Sequence, residues 1–281
     1  MPASVIFKGN LGNQLFQYAT AIVFCVKHKI KLETPPTKKL LNILTFNETL
    51  FSIDEFNDNK KIKRQSFTFR SFDKNNELVF KGYNCHYIFC DFFQNTDYLN
   101  NNYEIIKNTI YPINYDCRSY LCNYEKIKNT DVLFILRLGD FKHQGMNTEV
   151  VHPDYFLNIL KTHEFSNIYI LCHPCDDKDI NKYMKHFTDC KQQITLLENR
   201  SELIDFNIVK YFKNIALTNS TFNWWSCFLL ENIHDKTIFL PKLIGYLGID
   251  KKFKCHGNFI KNLHNIRNHS IPIENKFINL R

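Results

Sequence analysis

Three short stretches carry side chains whose types and spacing suit the chemistry of an anionic leaving group. "ILRLGDF" delivers Arg137 and Asp140 around Gly139 at the end of an apolar run. "LTNSTFNWW" sets Thr218, Asn219, Ser220 and Thr221 where an apolar run gives way to an aromatic one. "GNLGNQ" places Asn10, Asn13 and Gln14 around Gly9 and Gly12. An arginine at a strand end holds a phosphate through two parallel hydrogen bonds. Hydroxyls and free N–H groups at the start of a helix hold the same anion. Together they neutralise a diphosphate without a metal. Each stretch also has a plainer account. Arg137 can staple the turn by pairing with Asp140, Ser220 and Thr221 can serve as N-caps, and the glycines can serve only for positive φ. Three such turns in one chain favour a diphosphate site.

Strands and helices must hold these turns. "SVIF" is short, apolar and partly β-branched, a buried strand. "QLFQYATAIVFCVKHK" is apolar on most faces, a buried helix. The glycine spacing between them is neither the dinucleotide fingerprint nor a P-loop. Residues 47–82 are polar with isolated aromatic clusters such as "FTFRSF", "HYIFCDFFQ" is a strand, and "NTDYLNNNYEIIKNTI" is one helix capped by Asn95 or Thr96. Residues 111–130 are irregular and hold the expected domain boundary, which gives units of 1–125 and 126–281. Beyond it strands and helices alternate: "DVLFILRLGD", "HPDYFLNILKTH", "NIYILC", "DDKDINKYMKHF", "QITLL", "SELIDFNIVKYF", "NIALT", "STFNWWSCFLLEN" and "KTIFLP". That rhythm predicts an α/β fold with a parallel, doubly wound sheet. Sites in such sheets lie beyond the carboxyl ends of the strands.

The chain has 281 residues, enough for one large or two modest domains, and its 44% apolar and 23% charged residues exclude a disordered protein. A net charge of +8 suits an anionic ligand. Nucleic acid is the rival, but the densest basic run, "KKIKR", lies in a polar stretch and no nucleic-acid motif accompanies it. Ten cysteines stand at irregular spacing, and "CHPC" is a lone C-x-x-C, so neither a zinc nor a redox site is expected. No apolar run reaches the ~18 residues of a membrane span. The first strand begins where a leader would stand, so a cytoplasmic protein is expected. A glycan on the Asn219-Ser-Thr sequon would block the turn it belongs to, which agrees with that expectation.

"GNLGNQLFQYA", "DFFQNTDYL", "LRLGDF" and "NSTFNWWSCFL", followed by "KTIFLPK", resemble the α1,2-fucosyltransferases of glycosyltransferase family 11 in order and approximate spacing. The resemblance runs from about residue 5 to residue 245. It implies a GT-B fold of two Rossmann-like domains facing across a cleft. It also implies an inverting, metal-independent transfer of fucose from GDP-fucose to a sugar hydroxyl, with the 2-OH of a galactoside as the expected acceptor. No cofactor beyond the nucleotide-sugar donor is implied; the second partner is a galactose-containing glycan.

By the same resemblance Arg137, Ser220 and Thr221 contact the donor diphosphate, Asn219 belongs to that turn, and Asp205 reads the guanine. Asn10, Asn13 and Gln14 face the transfer centre. The family pattern around the arginine is His-x-Arg-Arg-Gly-Asp. Here Ile135 stands at the histidine and Leu138 at the second arginine. This departure opens a rival reading, a transferase on the same scaffold with another donor. A catalytically weak carbohydrate-binding protein and a basic nucleic-acid binder are further rivals. An inverting transfer also wants a group to take the acceptor's proton. "DFKHQGMNTEVVHP" offers Asp140, His143, Glu149 and His152. Glu149 matches the position of a basic glutamate in distant relatives, and its reading as a solvated loop residue stands beside that one. Trp224 and Trp225 are expected to pack the helix on the sheet.

Overall fold

The central strand of the second half is "VLFIL", and every one of its side chains is buried, as a strand covered on both faces requires. The computed structural model describes residues 2–47, 49, 65–73, 75, 77–83, 85–138, 150–172, 177–218, 220–243, 266–267, 270–275 and 277–278. The chain divides into two compact units, Met1–Ile113 and Asn114–Arg281. The division falls earlier than the expected boundary after residue 125. Residues 114–125 are hydrogen bonded into the second unit: Tyr115 N donates to Asn207 Oδ1 at 3.3 Å, Cys117 N to the Tyr211 hydroxyl at 3.0 Å, and the Tyr120 hydroxyl to Glu198 O at 2.8 Å.

The first unit contains β1 (Pro2–Val5), α1 (Leu11–His28), β2 (Lys31–Leu32), α2 (Lys38–Leu41), β3 (Leu44–Phe46), β4 (Gln65–Phe69), β5 (Cys85–Phe89), α3 (Thr96–Asn101), α4 (Tyr103–Thr109) and β6 (Ile110–Pro112). Its main sheet is parallel throughout, in the order β2-β1-β5-β4; β3 and β6 form a separate antiparallel pair. "FTFRSF", expected as an isolated aromatic cluster, instead contributes Phe67, Thr68 and Phe69 to β4. Phe67 and Phe69 lie opposite Tyr87 and Phe89 in register. Phe24 of α1 packs edge-on to Phe69, Tyr87 and Phe89, with ring centroids 5.2, 5.0 and 5.6 Å apart. Burial of such rings is the dominant stabilising term. The single helix expected over 95–110 is two helices. Asn102 Nδ2 donates to the Tyr98 carbonyl at 2.6 Å, and a side chain that bonds the backbone locally competes with the helical ladder. Asn95 caps α3 by accepting from Tyr98 N at 3.0 Å.

The second unit contains α5 (Arg118–Leu121), β7 (Val132–Leu136), β8 (Val150–Val151), α6 (Asp154–Thr162), β9 (Asn167–Cys172), α7 (Asp177–Met184), β10 (Gln193–Leu197), α8 (Glu202–Asn207), β11 (Asn214–Ala216), α9 (Thr221–Phe228), β12 (Thr237–Leu243), β13 (Ser270–Asn275) and β14 (Phe277–Ile278). Six strands form one parallel sheet in the order β10-β9-β7-β11-β12-β13. Counted along this sheet, that is 3-2-1-4-5-6, the doubly wound order of dinucleotide-binding domains. The sequence reading stopped at the strand that is β12. The sixth strand, β13, lies at the sheet edge and carries Pro272, a residue that edge strands tolerate. The mixed α/β class and the parallel sheets are therefore as expected.

Candidate functional site

A doubly wound sheet has one place where the connections leave in opposite directions. In the second unit it lies between β7 and β11, neighbours in register from Val132↔Asn214 to Phe134↔Ala216. The chain leaves β7 toward β9 on one side, and β11 leads to β12 on the other. Ligands bind beyond the carboxyl ends of strands at such a point. Arg137 directly follows β7, and Ser220 follows β11. The two side chains meet: Arg137 Nη1 donates to Ser220 Oγ at 3.0 Å. Ser220 also caps α9, its Oγ accepting from Asn223 N at 3.4 Å. The plainer account of Ser220 as a cap and the bridging account therefore hold together in one side chain. Thr221, the first residue of α9, is buried beside it, and the Thr218 hydroxyl is buried without a hydrogen-bond partner. The Arg137 guanidinium, the Ser220 hydroxyl and the helix start that Ser220 caps thus meet at the switch point. That combination is suited to a phosphate group.

Asp205 lies in α8, and its environment was not legible beforehand. Arg200 Nε donates to Asp205 Oδ1 at 2.5 Å, and Arg200 Nη2 donates to the carbonyl of Cys172, the last residue of β9, also at 2.5 Å. The two side chains are only 6% and 12% exposed. A buried carboxylate requires such a partner. Arg200 ties the end of β9 to α8 and fixes the direction of the Asp205 carboxylate. The signal available in the sequence was its place between Asn199, held at φ +55°, and the α8 cap Ser201.

In the first unit the neighbouring strand ends are those of β1 and β5. The chain leaves β1 for β2 on one side, while β5 flanks it on the other. Asn13, in the first turn of α1, accepts at Oδ1 from Gln94 Nε2 at 2.7 Å, and Gln94 lies just past β5. Gly9 sits at φ +72°, and a Cβ there would lie 2.6 Å from Asn13 Nδ2 and 3.0 Å from Phe92 Cε1. The glycine is needed twice over, for its backbone conformation and for the room the Asn13 amide occupies. Gln14 is engaged at both ends: Nε2 donates to Gly9 O at 3.1 Å, and Oε1 accepts from the Thr37 hydroxyl at 2.9 Å. Gln17 clasps Lys8, accepting from its N at 2.9 Å and donating to its carbonyl at 2.8 Å. Asn10 is the N-cap residue of α1 but makes no side-chain cap bond. Gln17, Thr37, Gln94 and Arg200 were not singled out from the sequence, although Gln94 stood within "DFFQNTDYL".

Asp140, Glu149 and Asn219 lie outside the described residues, as do Gly139, His143 and residues 173–176 of the C-x-x-C stretch. His152 is placed at the start of α6, where Nδ1 accepts from Asp154 N at 3.1 Å and lies 3.2 Å from Asp154 Oδ2. Trp224 and Trp225 are buried in α9, and Trp224 stacks on Phe228 with centroids 4.6 Å apart. Ile135 and Leu138 are 0% and 1% exposed. The described cysteines are all free, and burial pushes the Cys117 thiol up to about 11 and that of Cys227 to about 12, away from reactive thiolate character. Among the described residues no group of three or more His, Cys, Asp or Glu could hold a metal ion, and no helix is long and apolar enough to cross a membrane.

No protein-family model matches the chain, and no curated protein matches it.

Proposed function

We propose that this chain is an inverting glycosyltransferase of the GT-B class, with the second unit binding a nucleotide-sugar donor. The single observation that carries the reading is the bridge from Arg137 to Ser220 across the β7/β11 switch point. In this reading the donor diphosphate lies against the Arg137 guanidinium, the Ser220 and Thr221 hydroxyls and the start of α9. The acceptor hydroxyl oxygen bonds to the anomeric carbon as that carbon's bond to the phosphate oxygen breaks. The negative charge gathers on the leaving diphosphate, where preorganised donors are worth most. The sequence resemblance favours GDP-fucose as donor and the 2-OH of a galactoside as acceptor. It also assigns Asp205 to the guanine edge, with Arg200 setting the carboxylate's direction, and Glu149 to the acceptor's proton.

A second reading keeps the fold and changes the donor. Its support is the burial of Ile135 and Leu138, which puts apolar core side chains where the family has a histidine and an arginine. One experiment separates the two. Thermal shift with GDP, UDP, ADP and CMP reads which nucleotide binds, because a ligand stabilises the fold by mass action. Transfer to lactose from the matching sugar nucleotide follows, in EDTA and in magnesium. Stabilisation by GDP with transfer from GDP-fucose supports the first reading. Stabilisation by another nucleotide alone supports the second, and no stabilisation by any of the four removes both.

A further inference from the structure

The two amides of "GNQ" are not equivalent. Gln14 spends both ends of its amide on the turn, on Gly9 O and the Thr37 hydroxyl. Asn13 spends only its oxygen, which accepts from Gln94 Nε2 at 2.7 Å. Its nitrogen lies over the bare Cα of Gly9, where a Cβ would come within 2.6 Å. Gln94 itself is 7% exposed, and its Oε1 is buried with no hydrogen-bond partner. A buried orphan carbonyl is unfavourable and calls for a reason. The opposite sense of the same contact, Asn13 Nδ2 donating to Gln94 Oε1, would satisfy that oxygen. The fold adopts the sense that leaves Gln94 Oε1 unsatisfied and Asn13 Nδ2 unused by Gln94.

We propose that Gln94 is a positioning residue that commits Asn13 to donate, so that the first unit offers a sugar oxygen a hydrogen-bond donor and no proton acceptor at this point. The inference rests on the transferase reading for its substrate and on the Asn13–Gln94–Gly9 geometry for its mechanism. An amide free to rotate would present oxygen and nitrogen alternately. One whose oxygen is held presents N–H in every turnover, which is the preorganisation that orientation effects require. The oxygen it serves belongs to the sugar under transfer or to its acceptor. Gln14 braces the Gly9 turn through Gly9 O and links it to Thr37.

The test uses the full chain with nitrogen-15-labelled side-chain amides. In the free protein the Gln94 NH2 exchanges slowly with deuterium and the Asn13 NH2 exchanges fast. Lactose added in the presence of GDP shifts the Asn13 NH2 resonance. In Gln94→Glu the carboxylate can only accept, so Asn13 turns its nitrogen inward and its NH2 becomes the protected one. Gln94→Met removes both the clamp and the orphan oxygen. It therefore melts no lower than the parent, yet its kcat for transfer from GDP-fucose falls ~10- to 100-fold with KM for GDP-fucose within about twofold. A merely structural glutamine would lower the melting point and leave kcat alone. Slow exchange at Asn13 rather than Gln94 in the parent protein overturns the proposal, as does undiminished kcat in Gln94→Met. If the parent transfers nothing from GDP-fucose, the transferase reading falls, while the exchange pattern still decides the sense of the Asn13–Gln94 bond.

Discussion

Replacing Gly9 by alanine tests the first-unit geometry against an internal standard. Gly9 and Gly82 both hold positive φ, at +72° and +94°. At Gly82 a Cβ meets nothing within 4 Å, whereas at Gly9 it would sit 2.6 Å from Asn13 Nδ2 and 3.0 Å from Phe92 Cε1. Gly82→Ala therefore carries only the backbone cost of a left-handed L-residue, about 1–2 kcal/mol. Gly9→Ala carries the same cost and must also displace the Asn13 amide. That displacement adds an off-rotamer side chain and the loss of the Gln94 hydrogen bond, together about 1–2 kcal/mol. The expected destabilisations are thus ~1–2 kcal/mol for Gly82→Ala and ~2–4 kcal/mol for Gly9→Ala. Both residues belong to the unit Met1–Ile113, so urea unfolding of the full chain reads both on the same transition. Adding Asn13→Ala to Gly9→Ala should recover much of the excess, because the nearest clash partner is gone. A Gly9→Ala variant no less stable than Gly82→Ala would refute the reasoning, and so would an excess that Asn13→Ala leaves untouched.

The other outcomes concern hydrogen bonds and charge pairs in both units. Arg137→Ala should weaken GDP binding by about 2–3 kcal/mol, the scale of a lost charge-assisted bond, and lysine should restore little because it lacks the planar fork; calorimetry with GDP reads both. Ser220→Ala should weaken GDP and also cost about 1 kcal/mol of stability through the lost cap of α9, whereas Asn13→Ala should leave GDP affinity intact and lower turnover. Asp116 is held well below the usual carboxylate range by hydrogen bonds from the Arg118 side chain and backbone and from the Tyr211 hydroxyl. A depressed folded-state value stabilises above the unfolded one and loses that effect on acidification. The difference in urea midpoint between the parent and Asp116→Asn should therefore be present at neutral pH and shrink below about pH 4; a difference constant across that range would contradict the assignment.

What the sequence made legible follows from the range of each interaction. The alternation in the second half is readable because its central strands are buried on both faces and so are written as unbroken apolar runs, as in "VLFIL" and "NIYILC". Arg137 and Ser220 could be singled out because each directly follows such a run or opens a helix. Their contact could not be foreseen, since it depends on β7 and β11 being neighbours despite the strands between them in sequence. β4 carries a polar–apolar alternation over Ser66–Phe69, but that run is only four residues long inside a polar stretch, and its burial comes from pairing with β5 and from rings contributed by α1. The break at Asn102 was missed because a side chain that bonds the carbonyl four residues back leaves no mark in the apolar period. Arg200 was missed for a related reason: a buried cation is written in sequence like an exposed one, and only its partners, Asp205 and the Cys172 carbonyl, mark it.

The two units use one device with different chemistry. In each unit two neighbouring parallel strands end side by side, β1 with β5 and β7 with β11. Side chains there can reach across from one strand end to the next. In the first unit the pair is neutral, Gln94 beyond β5 donating to Asn13 beyond β1. In the second it is charged, Arg137 beyond β7 donating to Ser220 beyond β11. A neutral amide orients a hydroxyl or an ether oxygen without competing for a phosphate. A guanidinium with a capped helix start attracts a phosphate strongly and discriminates poorly among hydroxyls. The bridge is thus neutral in the first unit and cationic in the second.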